Sequence, residues 1–242
     1  MRSVNLVLFH PSEIDQPLSR QDQRARHILD VLRRKPGDTF DAGVVNGPRG
    51  KGTLVTVAAG HLTLAFSWGA PPPPPCPITL LIGLPRPQTA RDILRETTAL
   101  GVSSLHFVRT ERGEPSYGDS TLWRNGAWEE SLRQGAAQAF CTHLPAVTHG
   151  RSLAETLATL STEACRLALD NYEASEALAT CNLLGYKSAV LALGAERGWS
   201  AAERALLRAS GFALVHLGER VLRTETACIA ALTLLKARLG WL

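Results

Sequence analysis

No stretch of this chain approaches the roughly 20 consecutive apolar residues that cross a bilayer, and its start lacks the order of a secretory leader. The reading is a cytoplasmic protein with no membrane attachment. Cysteine is sparse: Cys76, Cys141, Cys165, Cys181 and Cys228 are odd in number, and none belongs to a CxxC pair. That argues against a disulfide framework and a structural zinc site, so buried thiols and no bound metal are expected. Neither GxGxxG nor GxxxxGK[ST] occurs at a strand-to-helix joint, which speaks against a plain nucleotide-binding α/β protein. Internal repeats are lacking too. The charge excess is small, 26 Lys and Arg against 22 Asp and Glu for a net +4. It permits a polyanionic partner without requiring one.

What is present divides in two. At 242 residues the chain can build two modest cores. The run Pro71 to Pro75 cannot donate ladder hydrogen bonds and forms a stiff extended spacer. Residues 1–70 are therefore expected as one domain, 71–76 as a proline-rich linker and 77–242 as a second domain. In the first, strand-like runs at 4–9, 53–57 and 61–68, with glycine turns between, predict a small β-barrel beside a helix over 21–32. That helix and its exit carry Arg24, Arg26, His27, Arg33, Arg34 and Lys35, and the following turn carries Arg49 and Lys51. On residues alone this run is either a solvated face or a polyanion contact.

The second domain alternates strand and helix. Residues 78–82 form a continuous apolar run suited to a strand covered on both faces. A helix over 87–100 follows, with Pro87 near its start and Gly101 past its end. Further strands are expected at 105–108, 167–169, 189–193 and 213–217, and a helix over 121–138. This is the pattern of a parallel α/β sheet.

Ligands of open α/β sheets bind beyond the carboxyl ends of the strands, and three such ends here carry unusual residues. Leu193 runs into Gly194, Glu196 and Gly198, where glycines allow a sharp turn and close backbone approach. Ser200 and Glu203 have capping-box spacing, so a helix should start there. A second end runs from Leu217 and Gly218 through Arg220, Val221, Leu222 and Arg223 to Glu225, concentrating charge around an apolar pair that must insert somewhere. The third, Leu169 and Asp170, is the plainest and by itself reads more readily as a simple turn.

Gly194, Glu196, Gly198, Trp199, Ser200 and Glu203, followed by Leu217, Gly218, Arg220, Val221, Leu222, Arg223, Glu225, Thr226 and Ala227, resemble the paired C-terminal motifs of one family. These are the bacterial enzymes that methylate N3 of a uridine in small-subunit ribosomal RNA. The likeness extends to Arg26, His27, Ile28, Val31, Leu32 and Arg33, then to the segment from Leu84 to Val102, and to Gln138 with Leu144 and Pro145.

The resemblance implies an N-terminal PUA-like RNA-binding barrel and a C-terminal SPOUT domain whose last segment threads a deep trefoil knot. Alternating strands and helices could not suggest a knot, because knots are nearly absent from proteins. It implies S-adenosylmethionine bound by Leu169, Asp170, Leu193, Gly194, Glu196, Gly198, Leu217, Gly218, Val221 and Leu222. It makes Arg26, His27, Arg33, Lys35, Arg49, Lys51 and Arg86 the RNA contacts, and it implies a homodimer acting on 16S ribosomal RNA or the small subunit. Departures from the family pattern fall at Arg86 or Gln88, Ala99, Ala137, 141–143, Ala195 and Arg197, while 217–227 is intact.

N3 of uridine is a poor nucleophile until its proton leaves, so the site must align the base and stabilise the developing anion. A guanidinium stays charged and suits that task. Arg223 is the first candidate, Arg220 the second, and Glu225 could orient the arginine or pass on the proton. Two other readings stay open: a knotted methyltransferase acting on another ribosomal or transfer RNA base, and an inactive RNA-binding assembly factor.

Overall fold

The structure, a computed structural model, describes residues 6–242. It separates into two compact units, one reaching to Pro74 and taking in Ala136–Leu144, the other made of Pro75–Gly135 and Pro145–Leu242. Residues 71–75 carry no regular structure, and the next strand begins at Cys76, inside the span expected as linker. The inclusion of 136–144 in the first unit differs from a division at the prolines alone. Its physical reason is a small apolar cluster of Leu6, Leu8 and Ala136, with Val45, Phe140 and Leu144 packed against it.

The first unit is a five-stranded sheet in the order β1-β3-β4-β5-β2. The strands are β1 (Val7–Phe9), β2 (Leu18–Ser19), β3 (Thr39–Val44), β4 (Arg49–Val57) and β5 (His61–Trp68). Residues 1–5, part of the expected first strand, lie outside the described residues. β1 runs parallel to β3, and every other pair is antiparallel. The expected helix over 21–32 is a single turn, α1 (Gln23–Arg26), which widens into a π-helical turn, His27–Val31. Asp22 caps α1 by accepting from the Arg24 N–H. Ala25 and Ile28 join Phe9, Phe40, Leu54 and Leu62 in the core, with Leu29 and Leu32 partly buried against it, so this short helical segment still packs an apolar side on the sheet.

The second unit is a seven-stranded sheet in the order β10-β12-β9-β11-β6-β7-β8, parallel throughout. Its strands are β6 (Cys76–Gly83), β7 (Val102–Arg109), β8 (Ala146–Ser152), β9 (Cys165–Leu169), β10 (Glu176–Ala177), β11 (Ala189–Leu193) and β12 (Ala213–His216). Its helices are α2 (Pro87–Ala99), α3 (Thr121–Arg124), α4 (Trp128–Gln138, whose residues from Ala136 on belong to the first unit), α5 (Leu153–Leu157), α6 (Ala201–Ala209) and α7 (Thr224–Arg238). The helix expected over 121–138 is broken into α3 and α4 because Gly126 takes φ +69, a left-handed turn that ends a helix. β8 escaped the sequence reading because it is a half-exposed edge strand without an apolar run.

From β6 the chain moves outward to β7 and β8, returns across the sheet to β9, and inserts β11 between β9 and β6. All five residues of β11 are buried. On one face Leu81, Val190, Ala192 and Ala168 pack with Trp199, Leu207 and Phe212. Strand alternation sends Leu80, Ile82 and Leu191 to the other, where α2 and α7 pack together and the Lys236 ammonium donates to the Leu100 carbonyl at 2.7 Å. Four of the five cysteines are buried, as expected, and burial pushes the Cys165 thiol up to about 11. Among the described residues no helix is long and apolar enough to cross a membrane.

His106 on β7 is held below the usual imidazole value by burial and then by the Arg151 charge, and His149 on β8 is lowered by burial. The unfolded chain therefore takes up protons before the folded one, and stability present above the ordinary pKa of about 6.5 drains away as pH falls through it. Replacing His106 by Gln, which keeps a hydrogen-bonding group for Thr148 (2.7 Å from His106 Nδ1), removes one such proton. Thermal unfolding at pH 8 and pH 5.5 should then show a smaller acid loss in His106→Gln than in the parent. Equal losses would mean His106 protonates freely in the fold.

Candidate functional site

The carboxyl ends of β12, β9 and β11 stand side by side, because these strands are neighbours and parallel. Leu193 is level with Leu169, and Leu169 with Val215, so the three following loops leave the sheet at one height. Between them lies a cleft of about 240 Å³. The first wall is Leu169 through Tyr172 and the second is Leu193 through Gly198. His216, Leu217, Arg220, Val221 and Leu222, with Thr224 and Ala227 of α7, make the third. Of the ten positions singled out for a cofactor, nine line this cleft.

Gly218 does not line it. Its φ of +106 is a turn conformation that L side chains rarely adopt, and a Cβ there would meet open space. The left-handed backbone by itself accounts for glycine at this position. The Gly218 N–H donates to His216 Nδ1 at 3.0 Å. Gly194 is the reverse case: a Cβ would sit 2.8 Å from the Gly198 Cα and 2.9 Å from its carbonyl carbon. One limb of the turn packs on the other, and backbone cannot yield as a flexible side chain can. A Cβ on Gly83 would likewise collide with the Ala195 nitrogen, which seats the turn against the end of β6.

The carboxylates are committed to backbone. Asp170, 4% exposed, accepts at Oδ1 from the N–H groups of Tyr172 (2.9 Å) and Glu173 (2.6 Å) and so folds its own loop. Glu196 accepts from the Arg86 N–H at 2.9 Å, at the mouth of α2. Glu203 completes the expected capping box with Ser200 and also accepts from the Glu111 N–H at 2.8 Å. Trp199 is fully buried and donates from Nε1 to the Leu169 carbonyl at 3.1 Å, tying the second loop to the first. Val221 and Leu222 line the cleft and are 79% and 36% exposed, so the apolar pair is not packed into the protein's own core.

Of the candidate catalytic arginines, Arg220 is exposed and lines the cleft, as does Arg197 in the second wall. Arg223 occupies the N-cap of α7 without a side-chain cap bond, and Glu225 lies in its first turn; neither lines the cleft. Arg86 is exposed and donates from Nε to the Tyr117 hydroxyl at 3.2 Å. In the first unit Arg26, Arg33 and Lys35 are exposed and His27 is half-buried. Arg33 takes φ +54 while the Arg34 N–H returns to the Ile28 carbonyl, a helix end that favours glycine. Arg49 donates to the Phe140 carbonyl at 2.8 Å with its guanidinium 5.3 Å over that ring, and Lys51 pairs with Asp41 at 2.6 Å, so both already have partners.

Sequence reasoning missed Tyr172, Glu173 and Arg204. Arg204 is 8% exposed and bonded to the loop after β9, more than 30 residues earlier, so no local spacing announces the pairing. Among the described residues no group of His, Cys, Asp and Glu is arranged to hold a metal.

Substituting Gly194 by Ala should destabilise the second unit by about 1–3 kcal/mol, the usual cost of overpacking, and urea unfolding reads this directly. An unchanged midpoint would mean the turn is not close-packed.

Comparison with known proteins agrees with this geometry. The RNA methyltransferase domain family matches residues 72–236. A ribosomal RNA small subunit methyltransferase E from Treponema pallidum is 37% identical, across 94% of this chain and 89% of that one. Ribosomal RNA small subunit methyltransferase E 1 of Borreliella burgdorferi is 30% identical, across 94% and 95%. In fold, the chain superposes with a TM-score of 0.78 on a ribosomal RNA small subunit methyltransferase E from Neisseria gonorrhoeae bound to S-adenosyl methionine, at 23% identity over 96% of this chain and 98% of that one. With a parallel sheet, a cleft over three adjoining strand ends and matches along nearly its whole length, this chain belongs to the RNA methyltransferase domain family, among the ribosomal RNA small subunit methyltransferase E proteins.

Proposed function

We propose that this protein transfers a methyl group from S-adenosylmethionine to N3 of a uridine in 16S ribosomal RNA, acting in the bacterial cytoplasm as a homodimer. One observation carries the reading. Nine of the ten residues that the family pattern assigns to the cofactor converge on one cleft, although they come from three separate stretches of chain. On the same pattern we assign a PUA-like barrel to the first unit and a trefoil knot to the last segments of the second. The antiparallel run β3-β4-β5 supports the first assignment.

The cleft fits the cofactor chemically. Leu169, Leu193, Leu217, Val221 and Leu222 offer apolar surface, and the tight Gly194–Gly198 turn brings backbone rather than side chain to the wall. When bound, the cofactor supplies an electrophilic sulfonium methyl. The chain must then orient the base and compensate the charge left when N3 loses its proton. Arg220, exposed on the lining, is positioned to hold that developing anion. Arg223, at the start of α7, supports it from just outside the lining, with Glu225 in the first turn of α7 to orient a guanidinium or pass the proton to water. Exposed Arg26, Arg33 and Lys35 meet RNA phosphates in this reading, with His27, Arg49, Lys51 and Arg86 as further contacts.

Single-turnover methylation of small-subunit particles at saturating cofactor tests the arginines. Arg220→Ala and Arg223→Ala should each slow it by about 10²–10³, the loss typical of one donor to a developing anion. A rate within about threefold of the parent removes that residue from the chemistry, since this is under 1 kcal/mol of barrier. Mass spectrometry of the product locates the methyl; a label on another base or on transfer RNA would overturn the uridine assignment.

The triple variant Arg26→Ala, Arg33→Ala, Lys35→Ala should bind RNA more weakly and with a flatter dependence on salt, because fewer counterions are released. Its affinity for S-adenosylhomocysteine should not change. An unaltered salt slope would make this surface a solvated face.

A further inference from the structure

We propose that Arg204 is a positioning residue for the cofactor, setting the loop after β9 against the turn after β11 without touching the ligand itself; this rests on reading the cleft as the cofactor site. Arg204 stands in the first turn of α6 with its side chain 9% exposed, behind the cleft wall and not in it. Its Nη1 donates to the Trp199 carbonyl at 2.7 Å, the end of the turn that begins at Gly194. Nε donates to Glu173 at 2.7 Å, and Nη1 lies 3.5 Å from Asp170 Oδ2. One guanidinium thus grips both loops. The Tyr172 ring, which lines the cleft, lies 5.5 Å over the same guanidinium.

The arrangement is costly in any role but geometry. Burying a charge is repaid only when its hydrogen bonds are complete, and an apolar side chain in such a place is often no less stable. What an apolar side chain cannot do is hold three acceptors from two loops at once. The planar fork of arginine can, and a lysine ammonium meets the same groups only as a point charge. Asp170 links the brace to the wall: one carboxylate oxygen faces Arg204, and the other folds the loop that carries Tyr172. Arg208 holds the outer oxygen of Glu173 at 2.7 Å, but it is half-exposed and reaches no cleft residue, so it serves as the control.

Calorimetry with S-adenosylhomocysteine tests this, each variant first checked by circular dichroism and thermal unfolding. In folded Arg204→Met the affinity should fall by about tenfold or more, as when charged hydrogen bonds that hold a loop are lost. Arg204→Lys should recover part of the loss, and Arg208→Met should bind like the parent. Were Arg204→Met not to fold, Arg204→Lys and Glu173→Gln would carry the test, each expected to bind more weakly than the parent. A folded Arg204→Met with parental affinity, or Arg204→Lys and Glu173→Gln both at parental affinity, would overturn the inference and leave the cofactor reading standing. Failure of the parent itself to bind would overturn both.

Discussion

The cleft depends on a single constraint, the insertion of β11 between β9 and β6 in a sheet whose strands all point one way. Parallel pairing delivers every loop after a strand to the same edge. The register brings Leu193 level with both Leu169 and Ile82, so those loops start at equal height. Because β11 is buried along its whole length, a slip by one residue would turn its side chains to the wrong faces. Close backbone packing of Gly194 on Gly198, and of Gly83 on Ala195, then fixes the turn in place.

Polar groups around the cleft are divided by task. Asp170, Glu196 and Glu203 satisfy backbone N–H groups and shape loops. The cleft surface combines backbone and apolar side chains with polar ones, and the exposed Arg197 and Arg220 put permanent charge on its lining. That division suits a ligand bound by shape together with a reaction that needs positive charge only where an anion develops. In the first unit the exposed cations Arg26, Arg33 and Lys35 gather where α1 widens and ends, and Arg33 holds a left-handed backbone there.

Much of the architecture was legible because it rests on local chemistry. The apolar run at 78–82 suits a strand covered on both faces and 189–193 reads as another strand, Pro87 and Gly101 bracket α2, and Ser200 with Glu203 announces α6. Where packing overrides local preference the reading stopped short. Gly126 splits a helix that the apolar spacing joins, an edge strand such as β8 shows no apolar run, and the 136–144 segment joins the first unit through contacts with Leu6 and Leu8.

By itself the sequence determined the parallel α/β class and singled out the three strand ends whose loops line the cleft, since glycines and charges directly after buried strands are a local signal. Its motifs also determined the family. Only the tertiary structure decided that those three ends adjoin, because strand order depends on pairings between segments more than 20 residues apart. It alone separated Arg220 on the lining from Arg223 and Glu225 off it, three positions that neighbouring sequence treats alike. And it alone made Arg204 a brace, because a buried guanidinium finds its acceptors through the fold and not along the chain.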